Sequence, residues 1–234
     1  LSELITALKG DAELASEILD AMMPKDTGFF RDWKPFVHLR NTVLPNVLAA
    51  RRAKRSLRVL SAGASTGQEA YSTAIAIREN EAFKGWNVEV VGIDLSRSAI
   101  DAADRASFSQ FDVQRGRPAK TLLRHFTKQN GAWVLNGDIR GMVHFKVWNL
   151  LEEMFPLGRF DVVLCRNVLV YFDLQSKLYV LQKLAHPLAD DGVFYLGRDE
   201  SISGLTNAFR PIAAELSIYA AHKIDRGPGP NLGV

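Results

Sequence analysis

The chain is poor in the residues that several kinds of chemistry require. Its only cysteine is Cys165, so no internal disulfide can form and no cysteine-based zinc spacing exists. Redox and metal chemistry are not indicated, and a reducing compartment is expected. Charges interrupt every apolar stretch well before the roughly 18 residues that a membrane span needs, and no basic-then-apolar leader opens the chain. A soluble, cytoplasmic protein without membrane insertion is therefore expected. An initiator Met is missing as well, since the chain starts at Leu1, and a processed or shortened N terminus is expected. Charge of one sign is scarce: 29 Lys and Arg against 26 Asp and Glu leave a net +3. That is too little for a dedicated nucleic-acid face, although it favours an acidic protein surface as partner.

What is present suits one large α/β domain with its own core, because 47% of the 234 residues are apolar. Short apolar runs at Leu57 to Ser61, Val88 to Ile93, Phe160 to Cys165 and Val193 to Leu196 read as strands. Helical spacing occupies Gln68 to Glu79, Arg97 to Arg105 and Leu174 to Leu188. This alternation predicts a mainly parallel sheet with helices on both faces.

Ahead of it, two short helices are expected within the first 20 or so residues, with Gly10-Asp11 as break and N-cap. The segment Met23 to Phe36 holds too much aromatic surface for a linker and should pack on the main domain. A helix from Asn41 to Arg55 ends in Arg51, Arg52, Lys54 and Arg55. That cluster reads either as a solvated helix end or as a docking surface for an acidic partner. From about 118 to 146 the rhythm changes: a helix at Ala119 to Phe126, the run Trp133-Val134-Leu135, the turn Asn136-Gly137 and an extended run to Phe145 predict an inserted antiparallel β-subdomain. The expected divisions are residues 1–40 as an N-terminal helical remnant with linker, 41–226 as the main domain carrying that insert, and 227–234 as a disordered tail.

Three stretches carry chemistry. Val59 to Glu69 runs from a strand through a glycine-rich turn, with Gly63, Ser65 and Gly67, into a helix. In an open α/β sheet that is where a nucleotide-like ligand meets the backbone. The glycine spacing is neither G-x-G-x-x-G nor a phosphate loop, so dinucleotide and nucleoside-triphosphate readings both weaken. Asp94 ends the second strand, where a carboxylate hydrogen-bonds free ribose hydroxyls. An adenosine without phosphates fits this pair, and S-adenosylmethionine, with S-adenosylhomocysteine as its product, is the common ligand of that description. In the third stretch, Phe160 to Phe172, an apolar strand delivers Arg166 and Asn167 to the same sheet edge, with Tyr171 about one turn later.

Taken together, these stretches resemble the chemotaxis receptor methyltransferases, the CheR family. The resemblance runs from about Met22 to Ala221 through six ordered landmarks: Thr27-Gly28-Phe29-Phe30-Arg31, Ser61 to Tyr71, Gly92-Ile93-Asp94, Asn149-Leu150, Phe160 to Asp173, and Gly197 to Glu200. It implies a class I S-adenosylmethionine-dependent methyltransferase fold, Rossmann-like, that methylates glutamate side-chain carboxylates on chemotaxis-type receptors. It also implies cosubstrate contacts from Thr27, Arg31, Glu69, Asp94, Asn149 and Leu150, joined by Gly63 and Ser65 of the turn. Arg166, Asn167 and Tyr171 lie beside the reacting centre. Family members often carry Asn, Pro and Tyr where this chain has Lys25, Ala70 and Phe108.

A glutamate acceptor is already ionised at pH 7, with a reference pKa of about 4.3, so no general base is needed. Arg166 is expected to grip the acceptor carboxylate and Tyr171 to orient it. Arg31 is expected to pair with the methionine carboxylate and Glu69 with its ammonium group. The partner is expected to be a receptor's acidic methylation helices, met by a monomer through its basic helical surface. The short connection Thr127 to Ala132 suggests independence of a receptor's C-terminal tether. Two alternatives stand beside this reading: a methyltransferase acting on another protein or a small molecule, and a non-catalytic S-adenosylmethionine-binding regulatory module.

Overall fold

A computed structural model describes residues 10–23, 26–115 and 123–222. Among the described residues the first element is α1 (Ala12–Met22), capped by Asp11, whose Oδ1 accepts the Glu13 and Leu14 N–H groups. The expected helix before it, Lys25 and the tail from Gly227 lie outside the described residues. Helix α2 is continuous through Lys34–His38, a wide π-type turn at Leu39–Val43, and Leu44–Ala50. Pro45 has no N–H for the turn below it, and the wide turn just ahead absorbs that mismatch. The helix begins earlier than Asn41 because Pro35 is preorganised for a first turn.

From there the elements are β1 (Ser56–Ala62), α3 (Gln68–Arg78), β2 (Asn87–Asp94), α4 (Arg97–Arg105), β3 (Ser107–Phe108) and α5 (Gln110–Gln114). After 122 come β4 (Phe126–Gln129), β5 (Ala132–Leu135), α6 (Gly137–Arg140), β6 (Val143–Val147), β7 (Phe160–Cys165), α7 (Leu174–Ala185), β8 (Leu188–Leu196), β9 (Phe209–Ala213) and β10 (Ile218–Ala221). Seven strands form one sheet in the order β6-β2-β1-β7-β8-β10-β9. Pairing is parallel from β6 through β8, and β10 runs antiparallel to both its neighbours.

Strand β1, inside the sheet between β2 and β7, explains the core. Residues of β1 alternate between two apolar layers: Val59 joins Phe36, Tyr71 and Ile75 on one face, while Leu60 joins Val163, Leu181 and Leu184 on the other. Covered on both sides, β1 and β7 read as continuous apolar runs rather than alternating ones. The chain leaves β1 outward to β2 and β6, then returns to β7 on the other side. That reversal opens a crevice beyond the carboxyl ends of β1 and β7.

The inserted subdomain differs from expectation. The small sheet has the order β3-β5-β4, so it takes in Ser107–Phe108, ahead of residue 118. Val143–Val147 is not part of it but pairs in parallel with β2, Val90 to Val143 and Asp94 to Val147. Asn136-Gly137 is no hairpin turn; it opens the short α6. The hairpin turn is Asn130-Gly131, both at positive φ of 48° and 83°, the geometry of a two-residue type I′ turn. Residue 126, expected to end a helix, begins β4 instead. Thr127 to Ala132 is thus mostly strand, and among the described residues β4 has a free outer edge. The segment is therefore a paired hairpin rather than a short loop, and gives no ground for independence of a receptor tether.

The basic cluster lies at the opposite end of the strands from the crevice. Arg51 binds Asp161 Oδ1 at 2.9 Å and both Asp191 oxygens, and Arg55 donates to the Lys84 carbonyl. These residues precede β1, so they sit at the amino ends of the strands, roughly 20 Å of strand away from the crevice at about 3.3 Å per residue.

Candidate active site

Three loop systems meet at the crevice. The first is the turn after β1. Gly63, Ser65 and Gly67 all have positive φ, 77°, 49° and 94°, and a Cβ on Gly63 would stand 2.4 Å from the Val168 side chain. Glycine is required there by that close approach. The Gly63 and Ala64 N–H groups are spent on the Ile93 carbonyl, at 2.8 and 2.9 Å. The turn is thereby stitched to β2 and fixed in shape.

Asp94, buried at the end of β2, joins these loops. Its Oδ2 accepts the Ser65 N–H at 2.8 Å and its Oδ1 the Ser96 N–H at 2.9 Å. Each oxygen keeps a further lone pair. The Trp148 N–H donates to the Asp94 carbonyl at 2.9 Å, which brings Asn149 and Leu150 to the same edge. Their side chains do less than expected. Asn149 Oδ1 caps the Leu151 N–H, leaving its amide NH2, and Leu150 is buried in the apolar layer with Met154.

The second system is the strap of residues 26–33. Phe29 meets Phe108 and Phe126 edge to face at 4.9 and 5.4 Å, and Phe30 meets Phe36 at 5.1 Å. Phe108 is buried in this aromatic cluster. Anchored by the two rings, the backbone takes left-handed conformations on both sides of Arg31, φ 53° at Phe30 and 50° at Asp32. Such non-glycine geometry costs on the order of 1–3 kcal/mol per residue and persists only where surroundings impose it. Arg31 itself donates to the Asp26 carbonyl at 2.8 Å and faces the Asp26 carboxylate at 3.5 Å.

The third system follows β7. Arg166 is buried and fully drawn into the protein: Nη1 donates to Glu69 Oε2 at 3.2 Å, and Nη2 to the Arg31 carbonyl at 2.9 Å and to Asp32 Oδ2 at 3.1 Å. Both terminal nitrogens of its fork are thus engaged within the protein. The other Glu69 oxygen accepts from the Ser61 hydroxyl at 2.8 Å. Burial pushes the Glu69 carboxyl up, while Arg166 and Ser61 pull it back. Asn167 adopts φ 60°, and Tyr171 is 65% exposed at the rim. Cys165, one residue before Arg166, is inert: burial, then Glu200 and Glu69, hold its thiol well above the ordinary range.

One cleft is lined by Thr27, Arg31, Gly63, Ser65, Glu69, Asp94, Arg166, Asn167 and Tyr171 together. Nine of the eleven residues expected at the site meet there; Asn149 and Leu150 stand beside it. Sequence reasoning missed Asp26, Phe36 and Val168 in the lining, and Asp32 and Glu200 behind it. Val168, inside Phe160 to Asp173, and Glu200, at the end of Gly197 to Glu200, had a signal in those landmarks.

The site has the chemistry that an adenosine-bearing sulfonium ligand needs. Among the described residues, Ser65 Oγ, Trp148 Nε1 and Arg166 Nε are buried without a protein partner, and buried polar atoms of that kind call for one. Asp94 supplies acceptor capacity for a ribose diol. No group of three or more His, Cys, Asp or Glu among the described residues could hold a metal, and no described helix is long and apolar enough to cross a membrane.

Comparison with known proteins agrees with this geometry. Residues 25–218 match the family model described as CheR methyltransferase, SAM binding domain. The chain is 33% identical over 219 residues to chemotaxis protein methyltransferase Cher2 of Pseudomonas putida, covering 91% of this chain and 79% of that one. It is 35% identical over 218 residues to chemotaxis protein methyltransferase 1 of Pseudomonas aeruginosa, with the same coverage of 91% and 79%. The namesake protein of Vibrio cholerae is 32% identical over 216 residues, 91% of this chain and 77% of that one. With the parallel sheet, the crevice at its switch point and the family match in agreement, the chain belongs to the CheR methyltransferase family, has the class I methyltransferase fold, and uses S-adenosylmethionine as its methyl donor.

Proposed function

We propose that the protein methylates glutamate side-chain carboxylates on the cytoplasmic methylation helices of a chemotaxis receptor, at the mouth of the cleft marked by Tyr171. The observation that carries this reading is the asymmetry of the cleft. Its floor is a set of buried groups suited to hold the cosubstrate, while its rim presents an exposed phenol suited to meet a macromolecular acceptor.

When bound, S-adenosylmethionine supplies an electrophilic methyl group on a sulfonium. The chain's own residues orient and exclude. Asp94 receives the ribose diol through the lone pairs that Ser65 and Ser96 leave free. Ser65 Oγ and the Asn149 amide supply further polar contacts beside it. Thr27 and the charged Arg31 and Glu69 bracket the amino-acid end. Arg166 serves as a strut: it holds Glu69, the Arg31 carbonyl and Asp32 at once, and so fixes the strap over the turn. It does not grip the acceptor. That role falls to the Tyr171 hydroxyl, with Asn167 beside it. No proton needs to leave the acceptor, whose carboxylate is ionised at neutral pH, so the contribution open to the protein is alignment, worth up to roughly 7–11 kcal/mol when fully enforced.

Incubation of the protein with tritiated-methyl S-adenosylmethionine and a receptor cytoplasmic fragment tests the reading. Label should enter the fragment and leave as methanol in mild alkali, as a carboxyl methyl ester does. Replacing the acceptor glutamates by alanine should abolish it. Alkali-stable label, or transfer to small molecules alone, would overturn the assignment.

A further inference from the structure

We propose that Glu200 is a positioning residue for methyl transfer, holding the Asn167–Tyr171 loop in its reactive shape from behind the cleft; this rests on the role assigned above to Tyr171. Glu200 is buried and does not line the cleft. Its Oε2 accepts the N–H groups of Asn167 and Gly197, each at 2.7 Å, and its Oε1 that of Val170 at 3.2 Å. One carboxylate thus ties the loop after β8 to two points of the loop after β7. One point is the N–H of the left-handed Asn167 itself, and the other, Val170, falls within the turn Leu169–Tyr171 that carries the phenol.

The arrangement is sterically exclusive. A Cβ on Gly197 would lie 2.7 Å from Glu200 Oε2 and 2.8 Å from both the Asn167 backbone nitrogen and its Nδ2. The Glu200 N–H returns to the Gly197 carbonyl at 3.0 Å, closing the turn that aims the side chain. A buried carboxylate that accepts several backbone N–H groups forms charge-assisted bonds, which are shorter and stronger than neutral ones. Tyr171 is 65% exposed, so little of its ring is held by neighbours. Its placement is therefore inherited from the loop, and the loop's from Glu200.

Glu200→Gln tests this, because it keeps the shape and one accepting oxygen but loses the second. Expected are a thermal transition that stays cooperative at a lowered midpoint, S-adenosylhomocysteine affinity within about threefold of wild type, and a fall in kcat of about tenfold or more, since misplacement by about 1 Å can cost on the order of a hundredfold. Backbone hydrogen exchange of residues 166–173 should quicken, with 61–71 unchanged. In the Glu200→Gln background, Tyr171→Phe should cost much less than it does alone. Full additivity of the two substitutions, or unchanged exchange at 166–173, would overturn the proposal. Should Tyr171→Phe alone leave turnover intact, the reading of the phenol fails, and the exchange comparison still decides whether Glu200 holds the loop. Glu200→Asp, which keeps the charge but shortens the reach, should retain affinity and lose turnover; full activity in that variant would also count against the proposal.

Discussion

The two sides of the cleft use the same device for different ends. On the β1–β2 side the buried carboxylate of Asp94 accepts N–H groups from two loops and lines the cleft. On the β7–β8 side the buried carboxylate of Glu200 also accepts N–H groups from two loops, yet stands behind the cleft wall. A carboxylate has about four acceptor positions. Where some of them face the cleft, the clasp doubles as a binding group; where all face backbone, it can only set the shape of what lies in front. The first side is therefore suited to a small ligand of fixed shape, and the second to carrying exposed groups toward a large one. The pair Glu69 and Arg166 joins the two sides.

Breaking that joint should have the largest effect. Arg166→Met leaves Glu69 and Asp32 without their cation, and loss of one partner of a buried pair typically costs about 3–5 kcal/mol, read by urea unfolding at pH 7. Its pH dependence identifies the partner. Burial already raises the Glu69 carboxyl above its ordinary value, so between the unfolded and folded pKa the folded state binds more protons and stability falls as pH rises. Removing Arg166 widens that window upward. The deficit of the variant should be smaller at pH 5 than at pH 7, and an equal deficit at both would exclude Glu69 as the group left exposed to burial.

On the first side, Asp94→Asn should weaken S-adenosylhomocysteine binding by roughly 10- to 100-fold, the loss of charged hydrogen bonds worth about 1.5–3 kcal/mol. Calorimetry measures this, and undiminished affinity would remove Asp94 from the ribose role. On the second side, Tyr171→Phe should leave that affinity alone and lower kcat by roughly 10- to 100-fold, the range of one hydrogen bond to a charged group. If both substitutions changed affinity equally, the division of labour between the two sides would collapse. The smallest effect belongs to Ser65→Ala. Its buried Oγ has no protein partner, so folding stability should hold or rise slightly, while product affinity drops by about threefold.

The strands and helices that build the crevice were legible because burial on both faces writes itself as apolar runs, and because β1, β2 and β7 end in groups that no core would choose, the glycine turn, Asp94 and Arg166-Asn167. The insert was less legible. Asn136-Gly137 and Asn130-Gly131 are the same dipeptide, and only the pairing of Val143–Val147 with β2 decided which one turns a hairpin. Likewise, apolar content at 143–147 says strand without naming the sheet.

The linear chain by itself determined which residues reach the carboxyl edge of the sheet, since strand ends and the turns after them follow from local pattern. What those residues hold was decided by tertiary structure. Arg166 looks identical in sequence whether it grips a substrate or braces a strap; it braces because Glu69, Asp32 and the Arg31 carbonyl, from 97 to 135 residues away, converge on its nitrogens. Glu200 binds backbone rather than ligand for the same reason. Hydrogen-bond partners across such separations depend on where the fold brings groups within about 3 Å, and local sequence carries no record of that distance.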